Sequence, residues 1–204
     1  MIRVLAVSAL GMAFGAFLAW PLFDWPLRPG WVGAVVLLLV AVAVRRHWDG
    51  MRHRDGGEPG PRERCSWHAL AALALVSGHL IASLAQGVDL HVGQGNTLAL
   101  DNWTLIAAAG IGWVIVRPER MEQDERDREM ATRGVHVGYT TFIVLLIGLL
   151  LTLGFAPPVV VERLSPFVLG NVLVVVILLA SLARHGTQLI GYRDAARPED
   201  EVHG

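Results

Sequence analysis

Long apolar runs separated by short polar segments dominate the hydrophobic pattern of the chain. A helix needs roughly 20 predominantly apolar residues to cross the hydrocarbon core of a bilayer, and six runs approach or reach that length. The pattern predicts an all-α fold, a polytopic membrane helix bundle with six transmembrane helices in one domain over residues 1–193. A flexible polar tail at 194–204 follows. The predicted spans lie at residues 2–23, 31–46, 67–86, 98–117, 135–154 and 166–184.

The spans show a weak internal repetition. Trp31 to Arg45 and Trp103 to Arg117 have the same spacing, and each apolar run ends at an arginine. Spans one and two, three and four, and five and six are therefore predicted to form three repeated helical hairpins, as in membrane folds built from repeats. Chance similarity between short apolar helices is the alternative interpretation.

Charge predicts the orientation of the spans. With the N-terminus inside, fifteen of the seventeen arginines lie on the cytoplasmic side and only Arg28 and Arg163 lie outside. The positive-inside rule then predicts an inner-membrane protein with both termini in the cytoplasm. The net charge of −1 argues against nucleic-acid binding. The lipid bilayer is the expected partner, with a second copy or another membrane protein as further candidates.

Small residues form a stripe along the first span. Ser8, Gly11, Gly15 and Ala19 follow one another at steps of three, four and four, so they share one helix face. Such stripes let two helices approach closely in lipid. The stripe predicts helix packing, either against another helix of the chain or as a homodimer contact.

Polar residues form a second stripe, on the third span. His68, His79, Ser83 and Gln86 fall within about 60° of one another at 100° per residue, and Asp101 begins the fourth span. Polar residues at membrane depth face the bundle interior or water. The alternatives are a functional site and a neutral imidazole that only hydrogen-bonds a neighbouring helix.

A charged segment separates spans four and five. Residues 117–133 carry five arginines and six acids, several of them as acid-before-arginine pairs four residues apart, which favour a solvated helix. We expect one nearly continuous helix over residues 119–153, weakest at Gly134, whose first turns stand in the cytoplasm. Its candidate interaction residues are Glu122, Asp124, Arg126, Arg128, Glu129 and Arg133.

One resemblance accompanies this segment. Asp124-Glu125-Arg126-Asp127-Arg128-Glu129-Met130, followed by Arg133 and by Tyr139 opening an apolar span, is similar to a pattern in small bacterial multi-pass membrane proteins of uncharacterised function. Those proteins carry such a segment before two C-terminal membrane helices, the second of which ends in arginine and tyrosine, as 184–193 does here. The resemblance covers residues 122–193, and it implies this topology but no activity.

No catalytic signature is present, since the chain lacks HExxH, a nucleophile elbow, a phosphate loop and a Cys/His metal cluster. We therefore expect no enzyme activity, cofactor or metal. The chain is interpreted as an accessory, regulatory or assembly component that acts through its charged helix. A small carrier or proton-linked transporter using the polar stripe is the alternative. A haem or metal site built from His68, His136 and His185 is a minor alternative.

Overall fold

The computed structural model of the chain describes residues 1–20, 27–51, 61–87, 91, 96–117, 125–162 and 164–194. Every regular element within these residues is helical, so the all-α prediction is confirmed for them. The helices are α1 (Ile2–Leu18), α2 (Pro29–Met51), α3 (Pro61–Ala85), α4 (Thr97–Val116), α5 (Glu125–Phe155), α6 (Pro158–Val161) and α7 (Pro166–Asp194).

Five of these helices, α2, α3, α4, α5 and α7, are long and apolar enough to cross a membrane. Such a set of helices is that of a multi-pass membrane protein. The first predicted span is the exception, because α1 has 17 residues, or about 25 Å of helix. The predicted count of six crossings therefore stays a prediction.

Proline and capping residues explain several helix starts. Proline opens α2, α3, α6 and α7, where its missing N–H group costs nothing because the first turn has no intrahelical acceptor. The Ser165 hydroxyl accepts a hydrogen bond from the Val168 N–H at 3.2 Å, one turn into α7. The Asn96 side chain accepts one from the Ala99 N–H at 3.0 Å at the start of α4. Both are N-cap bonds of the usual kind.

Helix α3 lies at the centre of the bundle and packs against α1, α4 and α7. Helix α2 lies outside α4, and α5 lies outside α7. The main apolar core forms where the inner helices meet, around Leu75, Val76 and Leu105. The predicted hairpins are packed unequally, because α3 contacts α4 and α5 contacts α7 extensively, whereas α1 and α2 barely touch.

Interhelix contacts show that successive long helices alternate in direction. Gly11 and Gly15 of α1 lie beside Ala74 and His79 of α3 in the same order, so α1 and α3 are parallel. Helices α2 and α4 are parallel as well, because Gly30 lies against Asp101 and Ala41 lies near Gly112. Helices α3 and α4 are antiparallel, because His68 lies against Gly112 and His79 against Asn102. Helix α7 is antiparallel to both α3 and α5.

One end of the bundle gathers the arginines of the described helices, and we call it the arginine end. The Arg45 side chain donates to the Ile115 carbonyl at 3.1 Å, which joins α2 to α4 there. Arg126 of α5 donates to the Tyr192 carbonyl of α7 at 2.6 Å. At the opposite end, the Gln86 amide donates to the Ala19 carbonyl at 2.8 Å.

The helices and the predicted membrane spans end at different residues. Helix α1 ends at Leu18, before the predicted limit of the first span. The polar stretch between the second and third predicted spans is partly helical, since α2 continues to Met51 and α3 begins at Pro61. Helix α7 continues ten residues beyond position 184 to Asp194. The predicted limits follow the apolar runs, whereas helices continue until the backbone hydrogen bonding ends. Nothing of the predicted tail beyond Asp194 lies within the described residues.

Helix α5 is expected to be weakest at Gly134, yet it is continuous through Gly134 and through Gly138 one turn later. A Cβ atom at Gly134 would lie 2.9 Å from the Arg184 carbonyl oxygen, and one at Gly138 would lie 3.2 Å from the Ala180 carbonyl oxygen. The two glycines therefore permit close contact with α7, as small residues at four-residue spacing do in membranes.

Candidate functional site

The small-residue stripe of α1 faces α3. A Cβ atom at Gly15 would overlap the Leu75 carbonyl and lie 2.8 Å from the His79 backbone nitrogen. A Cβ atom at Gly11 would lie 2.8 Å from that of Ala74. Ala19 is buried at the end of the helix, and Ser8 is half-buried. Close approach of α1 therefore fixes the position of the α3 turn that carries His79.

A hydrogen-bonded network lies where α3 meets α4, and its members are His79, Ser83 and Asn102. We call it the polar network. His79 Nδ1 lies 2.9 Å from Asn102 Oδ1. The Asn102 amide donates to Ser83 Oγ at 3.2 Å and to the Leu98 carbonyl at 3.0 Å. The Ser83 hydroxyl donates to the His79 carbonyl at 2.8 Å. All three side chains are at most 1% exposed.

These bonds fix the protonation pattern of His79. The Asn102 amide nitrogen is committed to two acceptors, so its oxygen faces the imidazole. An oxygen can only accept, and His79 Nδ1 must therefore carry the hydrogen. In the neutral imidazole, His79 Nε2 is then an acceptor. It is buried and has no hydrogen-bond partner among the described residues.

Asp101 lies one residue from this network. It is 2% exposed, and its Oδ1 atom is likewise buried, with no hydrogen-bond partner among the described residues. The carboxyl group packs against Gly30, because a Cβ atom there would lie 2.6 Å from Oδ1. Gly30 is in the first turn of α2, where free N–H groups favour negative charge. The site thus holds two buried acceptors, His79 Nε2 and Asp101 Oδ1, that have no donor within the part of the chain that the structure describes.

The remaining members of the predicted polar stripe lie apart. Gln86 is exposed at the end of α3, and its amide bonds Ala19 of α1 and Ala82 of its own helix. His68 is buried eleven residues from His79, against Gly112 of α4, where a Cβ atom would lie 2.7 Å from Nε2. The stripe therefore separates into the network around His79 and a single histidine nearer the arginine end.

The charged segment is helical from Glu125 onward. Glu122 and Asp124 lie outside the described residues, so the predicted pairs Glu122–Arg126 and Asp124–Arg128 lie outside them as well. The predicted pair Glu129–Arg133 is present, since Arg133 donates to Glu129 at 2.6 Å. The four described candidate interaction residues, Arg126, Arg128, Glu129 and Arg133, are all exposed.

One face of this segment is packed, although we expected it to be solvated. Asp127 is buried, and its Oδ1 accepts a hydrogen bond from the Tyr192 hydroxyl of α7 at 2.6 Å. The Arg126 guanidinium lies 5.6 Å from the centre of the Tyr192 ring. The first turns of α5 therefore rest on the last turns of α7 and do not project alone.

A second polar contact joins α3 to α7 at the same end. The Ser66 hydroxyl donates to Gln188 Oε1 at 3.0 Å, and His185 Nδ1 lies 3.4 Å from that hydroxyl. Ser66, Asp127, Gln188 and Tyr192 were not identified from the sequence. For Gln188 and Tyr192, the signal in the sequence is that no proline follows Arg184. The helix can therefore continue, which places these two residues one turn apart on one face.

The three histidines proposed for haem or metal differ in their surroundings. His68 contacts α4, His185 contacts α3, and His136 is exposed on α5. Within the described part of the chain, no three histidine, cysteine or acidic side chains are arranged to hold a metal ion. Comparison of the chain with family models, curated proteins and solved structures finds no match.

Proposed function

We propose that the chain crosses the bacterial inner membrane six times, with both termini in the cytoplasm. The arginine distribution supports this orientation. The alternating helix directions support it too, because they bring the described arginine-rich helix ends together.

Helix α1 counts as a crossing because it packs beside α3, with Val4 near Leu70 at one end and Ala19 near Gln86 at the other. Its 17 residues are short, and local thinning of the bilayer at modest cost accommodates such a helix.

Cysteine labelling tests this topology. In a Cys65→Ser background, Gly87→Cys lies at the end opposite the arginines and Arg128→Cys lies at the arginine end. A membrane-impermeant maleimide added to intact cells is expected to label position 87 and not 128. Both positions should react after permeabilisation, which controls for accessibility. Labelling of 128 from outside intact cells contradicts the proposed orientation.

Within that membrane, we propose a non-enzymatic accessory or assembly role, in which α5 binds a helix of another membrane protein. The observation that carries the proposal is the unequal packing of α5. This 31-residue helix packs extensively only against α7 among the described helices. Its exposed surface runs without interruption from the charged turns into the apolar part. Exposed residues along it include Arg128, Glu129, Val144, Ile147, Leu150, Leu151 and Phe155.

Lipid covers the apolar part of such a surface in any membrane protein, so that part alone does not identify a partner. The charged part is more informative. Arg128, Glu129 and Arg133 present both signs of charge beside the membrane boundary, and mixed charges set register and partner choice more than they add affinity. One partner helix with a cytoplasmic extension would contact both parts together.

Site-specific photo-crosslinking in native membranes tests this role. A photoreactive residue at Leu150 or at Arg128 is expected to give a protein adduct of the same mass from both positions. Leu10 of α1 is the matched control, because it is 70% exposed but lies on another helix. Lipid adducts alone, or the same protein adducts from all three positions, contradict the proposal. An adduct of twice the chain mass identifies a second copy as the partner.

A carrier or proton-linked transporter is the second candidate. It is favoured by His79 Nε2 and Asp101 Oδ1, two buried acceptors that no described residue supplies with a donor. Intramembrane ionisable groups commonly mark proton or ion pathways. This candidate requires a proton-coupled flux that is lost when the His79 imidazole is removed, whereas the accessory role requires no flux.

A further inference from the structure

A groove lies on the outer surface of the bundle, between α5 and α7. Its volume is about 350 Å³, within the range of small-molecule sites. Gly138 and Ala180 form the floor, where the two helices lie close together. The walls are formed by Val135, Tyr139, Phe142, Ile177, Ser181 and Arg184.

The groove is polar at one end and apolar at the other. Helices α5 and α7 are antiparallel, and Arg184 lies at the level of Gly134 and Gly138. Phe142 and Ile177 lie one to two turns farther from the arginine end. Arg184, Ser181 and the Tyr139 hydroxyl therefore belong to the side of the groove nearer the arginine end, and the deeper part is hydrocarbon.

The positive charge of Arg184 is not neutralised locally. Within the described part of the chain, its guanidinium forms no ion pair with a carboxylate. Arg184 is exposed on the outer surface of the bundle. An arginine at this position presents its N–H groups to the headgroup region while its stem covers apolar surface.

We propose that this groove binds an anionic phospholipid of the adjacent leaflet. The headgroup phosphate accepts hydrogen bonds from Arg184, with the Ser181 and Tyr139 hydroxyls beside it, and one acyl chain lies over Phe142 and Ile177. A soluble phosphate would leave the apolar half of the groove uncovered. A zwitterionic headgroup would place its own cation beside Arg184, so its electrostatic attraction to the unpaired arginine is weaker. Basic pockets between membrane helices bind anionic headgroups in this manner.

Lipid titration of the purified full chain tests the proposal. In detergent, phosphatidylglycerol is expected to bind saturably, as one retained lipid in native mass spectrometry, and phosphatidylcholine is expected to bind more weakly. Arg184→Gln should weaken phosphatidylglycerol binding about fivefold, since one arginine near a lipid surface contributes about 1 kcal/mol. Arg193→Gln should not change it. Arg193 is the matched control because it is exposed on α7, nine residues away and half a helical turn around.

A second variant tests the groove independently of charge. Ser181→Phe fills the space between the helices and should also reduce retention of phosphatidylglycerol, while circular dichroism verifies that the helices remain. If Arg184→Gln does not fold, the Ser181→Phe result decides the matter. The proposal is overturned if phosphatidylcholine binds as tightly as phosphatidylglycerol. It is also overturned if the folded variants retain phosphatidylglycerol as the unmodified chain does.

Discussion

Replacing Gly15 with leucine is expected to destabilise the protein strongly. The new side chain would overlap the Leu75 carbonyl and crowd the His79 backbone nitrogen, both of which belong to the main chain of the central helix. A main chain held on several sides cannot move aside as a flexible side chain does. Overpacking of this kind costs about 3 kcal/mol or more. The thermal midpoint in detergent should therefore fall by roughly 6–12 °C.

Other glycines of the chain provide a graded series. Gly11→Leu should have a smaller effect, since its nearest neighbour is the Ala74 side chain at 2.8 Å. Gly110→Leu and Gly148→Leu are the controls, because no described residue outside the helix's own nearby backbone has an atom within 4 Å of a Cβ atom at either position. Equal midpoints for all four variants would show that α1 does not pack on α3. A change of oligomer size without loss of stability would favour the homodimer interpretation of the stripe.

The helices themselves were largely predictable from the sequence, but their ends were not. Apolar runs mark the residues that fit a hydrocarbon core, and each predicted span from the second onward coincides with one long helix. A helix does not stop where the hydrocarbon stops, because its backbone bonds are as good in the headgroup region. Helix α7 therefore continues to Asp194, and its last turns hold Gln188 and Tyr192 against α3 and α5.

The candidate site was predictable on one helix at a time. Periodicity alone places His79 and Ser83 on one face of α3. It does not give the register of α3 against α4, which depends on how small residues on several helices fit together. The fit between the helices, and not the periodicity of one helix, makes Asn102 the partner of both residues and Gly30 the neighbour of Asp101. Gly134 shows the same limit, since a glycine that weakens an isolated helix can allow close packing in a bundle.

The second large effect is expected at the polar network, where His79→Leu and Asn102→Leu form a double-mutant cycle. Asn102→Leu removes the acceptor at 2.9 Å from the buried His79 Nδ1–H and leaves it the more distant Ser83 Oγ at 3.5 Å, whereas His79→Leu removes the donor to Asn102 Oδ1. Each single change should cost about 1–3 kcal/mol in the free energy of unfolding, because the remaining partner is buried and unsatisfied. The double change removes both groups and replaces them with apolar side chains of similar size. It should therefore cost about 1 kcal/mol less than the sum of the single changes.

Thr104→Val on α4 is the control for this cycle. Among the described residues, the Thr104 hydroxyl bonds the Leu100 carbonyl of its own helix alone, at 2.8 Å, so its effect should add to that of His79→Leu. Additive effects of His79→Leu and Asn102→Leu would mean that the imidazole and the amide do not depend on each other.

Proton flux into liposomes carrying the same proteins then distinguishes the two candidate functions. A network that only holds α3 against α4 gives the unmodified chain and His79→Leu the same background flux. A proton pathway through His79 Nε2 gives a flux that this single substitution removes.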